Sequence, residues 1–247
     1  MKKLVFTLAT CCIMCACEQK TETNPFFTEF RTEYGAPDFD KIKIEHYEPA
    51  FLKGIEEQNA EIKAIVESRE TPGFENTIVA LDNSGRTLAR VKGVFYALTE
   101  ADTNDEMSAL SEKIAPVLSE HNDNIYLNQD LYKRVAAVWQ QEQEGKITLT
   151  TEQHRLLDRY YKAFIRSGAG LDAGKQNRLR EINKELSTLA ITFSNHVLNE
   201  NNAYRLVIDN EAELAGLPEW VKTGAAEEAK AVGKEGKWLF TLSLIHI

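Results

Sequence analysis

The sequence predicts a mainly α-helical fold with a small β-ribbon near the C-terminus, and three observations lead to this prediction. Apolar residues recur at steps of three and four over residues 171–200, as they do on one face of an α-helix. The chain has only 13 glycines and 6 prolines in 247 residues, so long stretches lack helix-breaking residues. Runs of alternating apolar and polar residues, which are typical of half-buried strands, are few.

The longest predicted helix covers residues 171–200. Asp172 can act as its N-cap, because a carboxylate accepts hydrogen bonds from the N–H groups of the first turn. Residues 199–202, Asn-Glu-Asn-Asn, end it. The apolar residues that share one face are Leu179, Ile182, Leu186, Leu189, Phe193 and Val197. A face of this size is expected to be buried against other helices.

Five helices are predicted before the long one from the same apolar spacing. They cover residues 46–68, 76–101, 105–124, 129–143 and 151–166. Gly85 and Gly93, inside the second helix, are each expected to permit a close helix contact or to mark a bend, and Pro116 is expected to kink the third. Thr151 is expected to cap the fifth helix. Residues 25–43 are expected to lie as an extended segment over these helices.

Beyond the long helix, two short apolar segments are strand-like. Residues 204–208 and 238–242 predict strands that can pair as the β-ribbon. Between them, residues 211–214 predict a helical turn, and residues 218–232 predict a helix with Pro218 near its first position. The helical part of the peptide chain, residues 25–242, is therefore expected to end in this ribbon.

The net charge of −9 argues against nucleic acid as a partner. Nucleic acid and anionic lipid surfaces are both bound through clusters of lysine and arginine, and the sequence has no such cluster. Charged residues make up 27% of the chain and hydrophobic residues 43%, which is typical of a folded domain.

The first 17 residues predict a bacterial lipoprotein signal peptide. Residues 1–3 are positively charged, and residues 4–16 form an apolar stretch too short to span a bilayer. Residues 14–17, Met-Cys-Ala-Cys, resemble a lipobox, which predicts cleavage before Cys17 and lipidation of its thiol. The expected product is anchored in the bacterial cell envelope, on the periplasmic or surface side, with residues 18–24 as a tether. An ordinary secretory signal with incidental cysteines is the alternative.

Local motifs identify no catalytic and no metal-binding residue. All four cysteines lie in the first 17 residues, so the folded part has no thiolate to use as a nucleophile or ligand. None of the histidines belongs to a His-Glu-x-x-His or His-x-His pair; they are His46, His121, His154, His196 and His246. Acidic residues near helix starts usually serve caps and the helix dipole. Those that could form carboxylate pairs are Glu75, Asp82, Asp102, Asp105 and Glu106.

Longer strings of residues resemble one known family. Near the N-terminus they are 34–43 (Tyr-Gly-Ala-Pro-Asp-Phe-Asp-Lys-Ile-Lys), 45–51 (Glu-His-Tyr-Glu-Pro-Ala-Phe), 71–77 (Thr-Pro-Gly-Phe-Glu-Asn-Thr) and 98–105 (Leu-Thr-Glu-Ala-Asp-Thr-Asn-Asp). Further along they are 179–186 (Leu-Arg-Glu-Ile-Asn-Lys-Glu-Leu), 192–195 (Thr-Phe-Ser-Asn) and 214–218 (Leu-Ala-Gly-Leu-Pro). In this order they resemble the amino-terminal region of bacterial peptidyl-dipeptidases, in the thimet oligopeptidase family of zinc metallopeptidases. The resemblance covers about residues 24–242.

The resemblance implies a helical shell around a channel that admits short peptides. It also implies a catalytic zinc held by the two histidines of His-Glu-x-x-His and a downstream glutamate, with the first glutamate activating water. Peptidyl-dipeptidases of this type release dipeptides from peptide C-termini. The zinc motif of the family lies in the carboxy-terminal half, so the resemblance assigns no catalytic and no metal-binding residue to this chain.

The chain is therefore expected to be an amino-terminal fragment of an exported zinc peptidase. The fragment is expected to bind no zinc, to be inactive alone, and to expose an apolar face where the missing part packs. Residues 243–247, Ser-Leu-Ile-His-Ile, depart from the family pattern and are interpreted as a non-native tail. The alternatives are a stand-alone helical module that binds peptides and a structural lipoprotein.

Overall fold

The computed structural model describes residues 24–242, which form a helical body followed by a small α/β unit. The body contains α1 Ile44–Glu67, α2 Ala80–Asp82, α3 Arg86–Ala101, α4 Asp105–Tyr126, α5 Gln129–Gln143, α6 Thr151–Arg166 and α7 Ala173–Ala203. The C-terminal unit contains β1 Leu206–Ile208, α8 Glu219–Ala231 and β2 Trp238–Phe240. The predicted fold class, mainly α with a small β-ribbon, is confirmed.

Several predictions concern residues outside this range. The signal peptide at residues 1–17, the lipidated Cys17, most of the tether at 18–24 and the tail at 243–247 lie outside the described residues. Within residues 24–242, no helix combines the length and the apolar character needed to cross a bilayer.

The helices begin where short polar side chains can accept from the first turn. Asn104 accepts from the N–H of Met107 at the start of α4, and Asp172 accepts from Lys175 at the start of α7. The predicted cap at Thr151 is wrong by one residue. Thr150 is the N-cap of α6, because its hydroxyl accepts from the N–H of Gln153.

The predicted helix over 76–101 is interrupted. A π-helical segment at Phe74–Val79 leads into α2, and the chain then turns before α3. Gly85 lies in this turn with φ of 71°, a conformation that side chains other than glycine rarely adopt. Its N–H donates to Glu61 Oε2 at 2.7 Å, which holds the turn against α1. Gly85 therefore marks a bend, which was one of the two expectations. For Gly93 the prediction is wrong, because it lies inside α3 and a Cβ atom there would meet nothing within 4 Å.

Two apolar clusters form the core of the body, and α1 contributes to both. The first joins α1 to α2, α5 and α6, with Leu131, Val135, Leu157 and Phe164 fully buried. The second joins α1 to α3, α4 and the chain before α1. Its fully buried members include Phe26, Phe51, Val91 and Phe95. At about 25 cal/mol per Å² of buried apolar surface, these clusters are the main source of the body's stability.

The segment before α1 lies against the body. Phe26 is fully buried and packs at 5.2 Å from Tyr47, measured between ring centroids. Arg90 Nη1 donates to the carbonyl oxygens of Phe26 and Thr28 at 2.9 and 3.1 Å, and Asn24 donates to the carbonyl of His46 at 2.7 Å. These contacts fix the start of the described chain to α1 and α3.

The C-terminal unit is a two-stranded antiparallel ribbon covered by α8. Val207 pairs with Leu239, and Leu206 pairs with Phe240. Leu239 and Ala229 are buried where α8 packs on the ribbon. Pro218 is the N-cap of α8 and lies just before its first residue.

The long helix α7 differs from the prediction in its burial. It packs on α4, but none of its residues is buried. Five of its predicted face residues are exposed: Ile182 36%, Leu186 55%, Leu189 53%, Phe193 69% and Val197 43%. These five residues are called the apolar stripe below. The expectation that this face is buried against other helices of the chain is wrong, and the expectation of an exposed apolar face is met.

Candidate functional site

The histidines of the described chain lie apart and serve separate contacts. His46 is buried, and its Nδ1 accepts from the N–H of Lys43 at 3.1 Å. His154 Nδ1 lies 2.8 Å from Glu142 Oε1 and joins α6 to α5. His196 is exposed on α7. His246 lies outside the described residues.

His121 belongs to a buried polar network that ties α4 to α1. Its Nε2 lies 2.8 Å from Gln58 Oε1, and Gln58 Nε2 donates to Ser84 Oγ at 3.1 Å. No group among residues 24–242 hydrogen-bonds its buried Nδ1 atom. Burial lowers the pKa of His121, and the charge of Lys92 lowers it further. This arrangement holds a neutral imidazole between helices.

The acidic candidates do not form catalytic carboxylate pairs. Asp82 Oδ1 accepts from the Tyr160 hydroxyl at 2.8 Å and from Arg159 at 3.0 Å, which joins α2 to α6. Burial and the Asp82 carboxylate raise the pKa of Tyr160. Glu75 is exposed in the first turn of the π-helical segment. The others, Asp102, Asp105 and Glu106, are exposed around the start of α4. Asp105 and Glu106 lie in its first turn, where acidic residues favour the helix dipole.

A polar contact between α4 and α7 was not predicted from the sequence. Asn183 Nδ2 donates to Asp123 Oδ1 at 2.8 Å, and Arg180 Nη1 donates to Asn124 Oδ1 at 2.9 Å. Asp123 is only 5% exposed, and burial raises the pKa of its carboxyl, while the hydrogen bond from Asn183 lowers it. Arg180 and Asn183 lie three residues apart on α7, and this polar spacing was the available signal.

A groove of about 610 Å³ lies where the end of α7 meets α8 and β2. Polar and charged groups line it together with aromatic rings: Asn202, Arg205, Trp220, Glu227, Glu228 and Phe240. Trp220 is 67% exposed. Charges of both signs beside an exposed ring can bind a peptide. The sequence predicted the elements around the groove but not the groove.

The described residues do not provide a metal site. Within residues 24–242, no group of three or more histidines, cysteines, aspartates or glutamates is arranged to hold a metal ion. Residues 24–242 present the exposed apolar stripe of α7 and the groove beside Trp220.

Comparison with known proteins connects this architecture to peptidases. No family model matches the chain. The dipeptidyl carboxypeptidase of Escherichia coli (strain K12) is 40% identical over 222 residues, which cover 90% of this chain and 32% of that protein. The oligopeptidase A of Salmonella typhimurium is 31% identical over 222 residues, again 90% of this chain and 32% of the relative. A probable cytosolic oligopeptidase A of Arabidopsis thaliana is 24% identical over 233 residues, 92% of this chain and 32% of that relative.

The matches cover most of this chain but only a part of each relative. The chain spans about one third of the length of the curated relatives it matches, and the shared part includes nearly all of the described helices. The resemblance seen in the residue strings is thereby confirmed. The chain belongs to the sequence family of dipeptidyl carboxypeptidase and oligopeptidase A.

Proposed function

We propose that this chain is the amino-terminal helical part of an exported peptidase that hydrolyses short peptides. The observation that carries the proposal is the 40% identity to a dipeptidyl carboxypeptidase over nine tenths of the chain. In this proposal residues 24–242 shape and wall the substrate channel, while the residues that break the peptide bond belong to the part of the peptidase beyond this chain.

The zinc implied by the family resemblance does not fit the described residues. Residues 24–242 hold no cluster of metal-ligating side chains, and His46, His121 and His154 are each engaged in the contacts described above. No catalytic step is therefore derived through zinc for this chain. In the full-length peptidase the metal is proposed to lie on the remaining part.

The proposed inactivity of the chain is tested with a blocked tripeptide substrate. The purified 247-residue chain is incubated with the tripeptide and added zinc, with the full-length E. coli dipeptidyl carboxypeptidase as the positive control. The expected result is no release of dipeptide from the chain alone. Turnover that a chelator abolishes would show that the chain carries its own metal-dependent site and would overturn the proposal.

The proposed location is the bacterial cell envelope, through a lipid on Cys17. This proposal depends on the Met-Cys-Ala-Cys sequence at residues 14–17 and on the apolar stretch before it. Labelling cells with a radioactive fatty acid should label the protein, and Cys17→Ser should abolish that label. Cys12→Ser is the matched control and should leave it unchanged. Equal labelling of the Cys17→Ser protein would exclude the anchor.

The groove beside Trp220 favours a second candidate function, that of a stand-alone peptide-binding module. This candidate requires peptide affinity without hydrolysis. Titration calorimetry with short peptides distinguishes the two, with Trp220→Ala as the groove variant and Leu52→Ala, exposed on α1, as the control. A structural lipoprotein requires neither binding nor hydrolysis.

A further inference from the structure

The apolar stripe of α7 is a continuous surface that no helix of the described chain covers. Its five residues span positions 182 to 197, a length of roughly 22 Å at 1.5 Å per residue. They include Phe193, whose side chain is 69% exposed, and two leucines that are more than half exposed. Isolated exposed apolar side chains are ordinary, but a row of five on one helix face indicates an interaction surface.

Hydrogen bonds hold α7 against α4, so the stripe does not belong to a detached helix. Asn183 hydrogen-bonds to Asp123, and Asn195 Nδ2 donates to Glu112 Oε1 at 2.9 Å. At 100° per residue, Asn195 lies roughly 160° and Asn183 roughly 80° around the helix from the centre of the stripe. The helix thus contacts α4 partly through polar groups, while the five residues of the apolar stripe stay exposed.

The relatives contain a long stretch of polypeptide that this chain lacks. A match of 222 of the 247 residues necessarily includes residues 173–203, so the relatives carry a counterpart of α7. Those relatives are about three times as long as the matched segment, and two thirds of their length has no counterpart here. A long additional stretch of polypeptide is therefore available in each relative to pack on this helix.

The size of the stripe favours a covalently connected occupant over a second copy of this chain. Five partly exposed side chains expose less than the roughly 800 Å² that each partner contributes to a standard stable interface. A segment of the same polypeptide docks at a high effective concentration and loses little translational freedom, so a smaller apolar surface suffices.

We infer that the apolar stripe is the surface of α7 on which an apolar face from the remaining two thirds of the full-length peptidase docks. This inference deepens the proposed function and rests on it. The docked part would bury Leu186, Leu189 and Phe193.

The test measures the accessibility of single thiols in a full-length hybrid. Residues 24–242 of this chain, which contain no cysteine, replace the matched segment of the E. coli dipeptidyl carboxypeptidase. Phe193→Cys places a thiol in the stripe. Leu52→Cys is the matched control, because Leu52 is 48% exposed on α1. Both variants are treated with a thiol reagent, and peptide mapping by mass spectrometry reads each site in the hybrid and in the 247-residue chain alone.

In the chain alone, both thiols should react rapidly. In the hybrid, the thiol from Phe193→Cys should react at least about tenfold more slowly, because a buried side chain reacts only through local opening. The thiol from Leu52→Cys should keep its rate. Equal rates at position 193 in the hybrid and in the chain alone would overturn the inference.

Two further measurements distinguish a failure of the docking surface from a failure of the proposed function. Hydrolysis of a blocked tripeptide by the hybrid tests the proposed function, so an active hybrid with a reactive thiol at position 193 would refute the docking surface alone. Concentration-dependent dimerisation of the 247-residue chain, abolished by Phe193→Glu and kept by Leu52→Glu, would identify a second copy as the occupant and would contradict the inference. If the hybrid does not fold, single cysteines are placed in the E. coli enzyme at the positions aligned with Phe193 and Leu52. A slow reaction at the first position and a rapid one at the second would support the inference, and rapid reaction at both would overturn it.

Discussion

The second apolar cluster of the body and helix α7 use similar apolar spacing with opposite results. Phe95 on α3 is fully buried and lies 5.3 Å from Phe51 and 5.1 Å from Tyr47, measured between ring centroids. Phe193 on α7 is 69% exposed. Helical spacing of apolar residues therefore indicates that a helix has a face to bury, but not whether its partner lies in the same stretch of chain.

The largest expected difference between the two regions comes from removing one aromatic ring. Phe95→Ala should lower the free energy of unfolding by about 3–5 kcal/mol, because it leaves a cavity among the rings of the second cluster. Phe193→Ala should change it by no more than about 0.5 kcal/mol, since the ring is mostly in water. Urea denaturation of both variants provides the measurement, and equal losses would contradict the contrast drawn here.

A pair of glycines tests how closely the body is packed. A Cβ atom on Gly54 of α1 would lie 2.8 Å from the backbone of Leu88, whereas one on Gly93 of α3 would meet nothing within 4 Å. Gly54→Ala should therefore destabilise the protein by about 1–3 kcal/mol. Gly93→Ala should stabilise it by about 0.5–1 kcal/mol, because alanine favours the helix. An increase in melting temperature for both variants would show that α1 and α3 are not in close contact.

Helix caps provide a smaller contrast between the regions. Asn104→Ala removes the cap of α4 in the body and should cost about 1 kcal/mol of unfolding free energy. Asp172→Ala removes the cap of α7 and should increase hydrogen exchange in the first turn of that helix, with a smaller effect on the unfolding midpoint of the body. An equal shift of the midpoint in both variants would mean that α7 and the body unfold as one unit.

The smallest expected effect is a pH dependence from His121. Burial lowers the pKa of this imidazole in the folded protein, so the unfolded chain binds its proton more readily. Stability should therefore fall as the pH decreases below about 6.5, the ordinary histidine value. His121→Gln should flatten this part of the profile, and His196→Gln, on exposed α7, should leave it unchanged. Identical profiles for wild type and His121→Gln would exclude a role for this residue.

Much of the fold could be predicted because its signals are local. The predicted helices over 129–143 and 105–124 match α5 and α4 closely, since Asn104 caps α4 and apolar spacing marks both. The antiparallel ribbon also formed where β-rich segments predicted it. The turn at Gly85 was only one of two expectations, because the contact with Glu61 that supports it joins residues far apart in the sequence.

The candidate site could be predicted less well, for a physical reason. Two polar contacts join residues about 60 positions apart: His121 with Gln58, and Asp123 with Asn183. No local sequence motif can predict contacts over such a separation. The exposure of the apolar stripe depends on what lies beside α7 in space. The spacing of the residues along the helix does not give that information.

The body is held by its own core, whereas α7 presents an apolar face that the described chain leaves uncovered. Native-state hydrogen exchange of the 247-residue chain, read by peptide mass, tests this claim most directly. The account predicts that amides of α7 around Phe193 exchange well before those of α1, α3 and α5, because the flanking side chains of α7 are not buried. Protection of α7 equal to that of the body's core helices would contradict it.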